Sequence, residues 1–380
     1  MDFSDELSEL KEEIEAEILK FMDEVFEDMQ IEELPRVHFK ILKDFYSDIK
    51  DHLLFGGKRL RPACMVMAFC GFSEKNDLIL RASLSCEFVH SASLILDDAM
   101  DEDVLRHGRE TFNAIYAHKF LESLNFDMEK YRKGESWISK ESLLEISNLQ
   151  RSISRYSYAL SSLASNLMFS MSERALTESG FEKGKILRAL RLHREMYKML
   201  NEGQLLDVFM ESKSPTEKEY LSMIDKKTGL LYAYPIKIGG MLADYPDFER
   251  LDKYSFAMAR AFQIHDDILG SFGREEETGK PADSDIRGGK RTLLVIEALE
   301  RANSSQKELL KSILGKSSAT SEEVEDVKKI FKKTGAYKYC LEKEKEFSEK
   351  AKSALSKISI SRNSKKFFED LADFVVERRF

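Results

Sequence analysis

The sequence predicts an all-α fold, and three observations carry that expectation. Apolar residues recur at helical spacing along most of the chain. Only 6 prolines and 18 glycines interrupt 380 residues, which leaves few breaks in those periodic segments. No segment shows the strict alternation of a half-buried strand. Hydrophobic residues make up 42% and charged residues 33%, enough for a sizeable core under a well-solvated surface. With no internal repeat and no linker, residues 1–380 read as a single domain.

In chain order, residues 5–29 place Leu7, Leu10, Ile14, Ile18 and Phe21 on one face of an acidic helix, and a second helix covers about 38–54. Gly56-Gly57 breaks the pattern, and Pro62 suits the first turn of a helix over 62–71. A long apolar helix runs from Asp77 to about Val104. Residues 121–154 are more polar, contain Gly134 and Trp137, and read as an insertion or an irregular excursion. Helical periodicity returns at about 155–178, 184–212, 216–243 and 248–271. The stretch 272–289 is rich in glycine and charge and reads as a loop; helices follow to the C-terminus, including an exposed one over 321–358 laced with Lys and Glu.

A formal net charge of −9 argues against a general nucleic-acid surface and gives no attraction to anionic lipid. Cys64, Cys70, Cys86 and Cys340 form no C-x-x-C pair and sit mostly in apolar runs, as expected of buried thiols in a reducing, cytoplasmic protein. The acidic N-terminus has no signal-peptide pattern, and no stretch is expected to reach the roughly 18 apolar residues of a membrane span.

Two acidic clusters carry the chemistry. In CEFVHSASLILDDAMDEDVLRHG (86–108), Asp97 and Asp101 lie one turn apart on one helix face. His90, two turns earlier, falls within about 20° of Asp97. Carboxylates at i and i+4 suit a hard divalent cation such as Mg2+, which binds through one or two carboxylates, waters and phosphate oxygens. In AFQIHDDILG (261–270), Asp266 and Asp267 again close an apolar helix, with Gln263 one turn back. Two such clusters can face each other across a bundle and trap magnesium. Taken singly, each reads more simply as a helix end emerging into water.

Basic residues break that tie. FGGKRLRP (55–62) sets Lys58, Arg59 and Arg61 on a glycine-hinged turn, where the backbone can approach a ligand and the cations can clamp a diphosphate. Arg106 and Arg109 follow the first cluster; Lys226, Lys227 and Thr228 precede an apolar helix; Lys280, Lys290 and Arg291 follow the second cluster. An acidic chain that keeps its cations beside its aspartates has the composition of a metal–diphosphate site.

These segments resemble the trans-isoprenyl diphosphate synthases, the polyprenyl synthetases. GGKRLRP, VHSASLILDDAMDEDVLRHG, GQLLD (203–207), DKKTG (225–229), FQIHDDILG and GKPADSDIRGGKRTLL match the family's motifs in order, from about residue 55 onward. The resemblance implies a helical bundle around a deep central cavity, a homodimer, and condensation of isopentenyl diphosphate with an allylic diphosphate to give geranylgeranyl diphosphate or a longer all-trans product. By family role, Asp97, Asp101 and Asp266 hold magnesium; Lys58, Arg61, His90 and the residue at His107 face isopentenyl diphosphate; Arg106, Lys227 and Lys280 contact the allylic diphosphate. Thr228 and Gln263 lie beside the developing cation, and Gln204 and Asp207 support the site.

The chain departs from the family pattern in three places. His107 replaces the second arginine after the first motif, a poor substitute for a guanidinium fork. Gly270 stands where many relatives carry a third aspartate, and 121–154 is longer than expected. Small Ala92 and Ser93, with Val89 deeper, are expected to leave the product tunnel open beyond farnesyl length. Two other readings accommodate parts of the pattern. A related class I terpene synthase has no need of Lys58, Arg61 and His90, and a degenerate regulatory subunit of a prenyl synthase heterodimer is consistent with His107 and Gly270.

Overall fold

A computed structural model describes residues 2–29, 35–106, 108–124, 140–211, 213–273 and 283–377. The predicted all-α class holds. Helices α1 (Phe3–Glu27), α2 (Arg36–Leu54), α3 (Leu60–Cys70) and α4 (Asp77–Met100) are followed by α5 (Phe112–Ser123), α6 (Lys140–Thr177) and α7 (Lys183–Glu211). Then come α8 (Glu217–Ile224), a π-helical turn at Asp225–Gly229, α9 (Leu230–Leu242) and α10 (Phe248–Phe272). The chain ends with α11 (Ser284–Gly288), α12 (Leu293–Arg301), α13 (Ser304–Ile313), α14 (Ser321–Lys333), α15 (Ala336–Leu355) and α16 (Arg362–Glu377).

Several details depart from the expectation. α11 (Ser284–Gly288) is helical within the 272–289 stretch read as a loop, and the 321–358 segment read as exposed buries Cys340, Phe347, Ala351 and Leu355. A two-residue antiparallel ladder, β1 (Leu105–Arg106) with β2 (Arg109–Glu110), follows α4; strands this short cannot display alternation. The stretch 140–154 is helical and opens α6, so the irregular reading of 121–154 fails there; Leu143, Ile146, Leu149 and Ile153 already have helical spacing. The single helix read over 216–243 is interrupted by the π turn, and that over 321–358 breaks at Gly335, whose φ of +78° is left-handed. Finally, α4 is long and apolar enough to cross a bilayer, contrary to expectation, although 72% of its apolar window is buried inside the protein.

The chain divides into two compact units, one of residues 1–21, 56–87 and 172–380, the other of 22–55 and 88–171. In the larger, the predicted stripe of α1 is confirmed, since Ile14, Ile18 and Phe21 have no exposure. Phe3 packs on Phe367 and Phe374 of α16. Tyr254 of α10 donates a hydrogen bond to the Phe368 carbonyl (2.7 Å), and His265 Nδ1 meets Glu344 Oε2 of α15 at 3.0 Å. In the smaller unit, Phe45 of α2 joins Phe112 and Tyr116 of α5 in an aromatic cluster, and the Tyr116 hydroxyl donates to Asp48 (2.5 Å). Ser165 of α6 donates to the Ala92 carbonyl of α4 at 3.1 Å, tying those two helices together.

Candidate active site

The first cluster lies wholly in the smaller unit. Asp97 keeps 18% of its side chain exposed, whereas its neighbour Asp98 keeps 1%. The difference follows from the 100° step between successive helical residues, which turns one carboxylate inward. Asp98 is not left uncompensated. Arg106 Nε donates to its Oδ1 at 2.7 Å and Oδ2 at 3.0 Å, while Arg106 Nη2 stands 3.8 Å from Asp97 Oδ2. Burial opposes the guanidinium's charge, but Asp98, Asp97 and Asp103 outweigh it and raise its pKa above the ordinary value. The chain leaves α4 through Asp101, whose amide bonds the Asp97 carbonyl (2.8 Å), and a left-handed Glu102 with φ +56°. Two aspartates thus sit at a helix end with an arginine folded back beside them. Val89 and Ala92 are buried, His90 and Ser93 half-buried, and the Ser93 hydroxyl donates to the His90 carbonyl at 2.7 Å.

The larger unit holds the remaining described site residues. Gly56 and Gly57 have φ of +68° and +81°, and Arg59 follows at +50°, so the GGKR turn is left-handed at three of its four residues. This path sorts three basic side chains to different fates. Arg59 is drawn inside, where its Nη1 lies 2.6 Å from Glu87 and its Nε 3.0 Å from Glu15. Lys58 Nζ lies 4.7 Å from the Phe374 ring centroid. The Arg61 guanidinium stacks 4.8 Å from the Tyr232 ring centroid, and its buried Nε finds no hydrogen-bond partner among the described residues. A buried donor left unmade costs about 1–3 kcal/mol, a penalty tolerated where a ligand supplies the acceptor.

Lys226, Lys227 and Thr228 occupy the π turn. A π turn inserts one residue into the helical repeat and re-aims the side chains that follow. Gly203 of α7 permits its position: a Cβ there would lie 2.5 Å from the Lys227 backbone nitrogen. Lys227 Nζ then reaches Asp207 Oδ2 at 2.6 Å, so Asp207 of the GQLLD motif holds the lysine in place. Thr228 donates to Gln263 Oε1 (2.7 Å), Gln263 Nε2 donates to Asp267 Oδ1 (2.9 Å), and Tyr220 donates to Asp267 Oδ2 (2.6 Å). Burial, with Asp285 and Asp266 nearby, pushes the Asp267 carboxyl up to about 8 against the pull of its two donors. Asp266, turned about 100° from Asp267 around α10, is exposed.

The sequence singled out Asp97, with Asp101, by a shared helix face and Asp266 by family resemblance; in the structure Asp97 is partly exposed and Asp266 exposed, whereas Asp98 and Asp267 are buried. Sequence reasoning missed Asp98 as the anchor of Arg106, Arg59 as a buried counter-charge, and Tyr220 as the cap on Asp267. Only Asp98 left a trace, as the second member of an Asp pair eight residues before an arginine. His107 and Lys280 lie outside the described residues. Among the described residues no three metal-donor side chains already form a cluster. Magnesium does not require one, because water and phosphate oxygens complete its shell, and partly exposed carboxylates such as Asp97 and Asp266 suit it. Two grooves of about 970 and 960 Å3 in the larger unit share Ser222, Asp225 and Arg260; of the basic residues singled out in the sequence, Arg291 lines the first and Lys226 the second, but none of the aspartates predicted to hold metal lines either.

The chain matches the family model described as polyprenyl synthetase over residues 43–143 and 144–333. A short chain isoprenyl diphosphate synthase of Methanocaldococcus jannaschii is 32% identical over 330 residues, spanning 86% of this chain and 87% of that protein. A geranylgeranyl diphosphate synthase of Saccharolobus solfataricus is 29% identical over 330 residues, with 85% and 87% covered. Among solved structures, a geranylgeranyl pyrophosphate synthase from Corynebacterium glutamicum, complexed with isoprenyl diphosphate and magnesium, is 24% identical. It matches 100% of both chains with a TM-score of 0.84, a likeness of fold.

Proposed function

The chain belongs to the polyprenyl synthetase family, and from that premise we propose that it condenses isopentenyl diphosphate with an allylic diphosphate. It is a trans-prenyltransferase, and the product we assign is geranylgeranyl diphosphate or a longer all-trans prenyl diphosphate. The observation that carries the two-substrate reading is Arg61, a stacked guanidinium with a buried donor awaiting an acceptor. A diphosphate supplies one, and a guanidinium binds phosphate through paired hydrogen bonds. Lys58 and His90 are proposed to complete the isopentenyl diphosphate clamp, with His107 as its weakened fourth member.

Asp97, Asp101 and Asp266 would hold Mg2+. When bound, magnesium neutralises charge on the departing diphosphate and so lowers the cost of ionisation. The protein's side chains do the rest. Lys227, positioned by Asp207, and Arg106, with Lys280, neutralise the allylic diphosphate as its ester bond breaks. Because Thr228 commits its proton to Gln263, its oxygen presents only lone pairs, the polarity that stabilises a developing carbocation. Gln263 is fixed in turn by Asp267 and Tyr220. Exclusion of water preserves the carbocation until the double bond of isopentenyl diphosphate attacks it, and a proton is then lost to the departed diphosphate.

The working protein is proposed to be a cytoplasmic homodimer of single-domain chains; free Cys64, Cys70, Cys86 and Cys340 fit a reducing compartment. Steady-state kinetics test the clamp. Arg61→Ala is expected to raise the KM for isopentenyl diphosphate by at least about tenfold, one lost charge-assisted contact, and to leave that for the allylic substrate unchanged. Equal effects on both substrates would refute the assignment.

A further inference from the structure

The basic side chains assigned to diphosphate are oriented in two different ways. Arg106 is held by Asp98 and Lys227 by Asp207, so each shares its charge with a carboxylate. Arg61 makes no ion pair among the described residues. It rests instead on the ring of Tyr232, whose centroid lies 4.8 Å from the guanidinium carbon.

Packing fixes that ring. Tyr232 of α9 has no exposure, and Phe262 of α10 leans on it with centroids 5.5 Å apart and planes tilted by 55°. Two turns further along α9, on nearly the same face, Gly239 meets α3. A Cβ there would fall 2.2 Å from the Met65 carbonyl oxygen, so only glycine lets the two helices come this close. Met65 stands one turn after Arg61 on α3. The contact that seats α9 against α3 thereby sets the Tyr232 ring beside Arg61, which is itself half-buried.

A carboxylate and an aromatic face hold a guanidinium with different consequences. The carboxylate takes up N–H donors and offsets the charge. The π face attracts the cation through its quadrupole, accepts none of the in-plane N–H donors and leaves the charge intact. An arginine stacked in this way keeps its planar fork for a phosphate.

We propose that Tyr232 is a positioning residue for isopentenyl diphosphate, its ring holding the Arg61 guanidinium in place while leaving the N–H donors to the diphosphate. The proposal rests on the assignment of Arg61 to the isopentenyl diphosphate clamp. Tyr232 acts through Arg61 and needs no contact with either substrate.

Steady-state kinetics of the full chain, varied in each substrate, test this. The variants are Tyr232→Phe, the same position carrying a trifluorinated phenylalanine, and Arg61→Ala alone and combined with each ring. Fluorination keeps the ring's shape and burial but drains its π face, a change that a packing role does not register. Because the two rings fill nearly the same volume, both proteins are expected to fold. Relative to Tyr232→Phe, the fluorinated ring should raise the KM for isopentenyl diphosphate about fivefold, the scale of a desolvated cation–ring contact. The kcat and the KM for the allylic diphosphate should change by less than about twofold. In the Arg61→Ala background the same exchange should add nothing, because the cation that the ring orients is gone. If Arg61→Ala raises the KM for isopentenyl diphosphate but fluorination does not, the inference about Tyr232 is overturned and the clamp stands. Fluorination acting equally with and without Arg61, or equally on both substrates, overturns it as well. If Arg61→Ala leaves that KM unchanged, the clamp reading itself fails, and the inference fails with it.

Discussion

Arg59 is 5% exposed as a whole residue and serves two acidic partners, one of which, Glu87, has a side chain only 4% exposed. Removing the guanidinium leaves that carboxylate buried without a counter-charge, a change that costs about 3–5 kcal/mol. Arg59→Ala is therefore expected to lower the urea midpoint strongly, whereas Lys58→Ala, at a half-buried side chain one residue away, should shift stability by less than about 1 kcal/mol. Similar losses in the two variants would contradict the division of roles. In the sequence, GGKRLRP shows only three cations on a hinged turn. Which one turns inward depends on the left-handed φ of Arg59 and on acids 44 residues before and 28 after it, information no local pattern contains. Asp97 and Asp101 were legible as a pair from helical phase, whereas Asp266 was distinguished from Asp267 only by the family resemblance.

Helices bring a second kind of evidence, because what they bury sets pH behaviour and product length. His193 of α7 is 3% exposed, and its Nε2 lies 3.0 Å from the Ser172 hydroxyl of α6. Burial lowers its pKa from 6.5 to about 4, so the native state refuses a proton that the unfolded chain accepts. Stability is then full above about pH 6.5 and drains as pH falls toward about 4, by roughly 3 kcal/mol in all. In His193→Leu the drop in unfolding free energy between about pH 7.5 and pH 5 should shrink by about 2 kcal/mol; an undiminished drop sinks this assignment. On α4, Ala92 is fully buried and adjoins half-buried Ser93. Ala92→Phe is expected to move the product distribution toward shorter chains by mass spectrometry, and an unchanged profile would remove Ala92 from the tunnel. The helical stripe of α1 was readable because that helix buries one face, and α3 and α4 were readable as long apolar runs because they are buried nearly all round. The π turn was not, since nothing in DKKTG departs from ordinary helical periodicity; it is the close approach of Gly203 to Lys227 that accompanies it.

At the scale of the whole molecule, the family match covers most of the chain, and the ordered motifs between residues 55 and 292 already pointed to it. The reading requires carboxylates and cations from separate segments to act on one pair of substrates. Chelation of divalent metal should accordingly abolish turnover while leaving the helical circular dichroism intact, since no three metal-donor side chains cluster among the described residues; unfolding on chelation would assign the ion a structural role instead. The most direct measurement is mass spectrometry of the products formed by the purified full chain from farnesyl diphosphate, isotopically labelled isopentenyl diphosphate and magnesium. The account predicts labelled allylic diphosphates of geranylgeranyl length or longer. Hydrolysed or cyclised farnesyl products carrying no label, or no turnover at all, would contradict it.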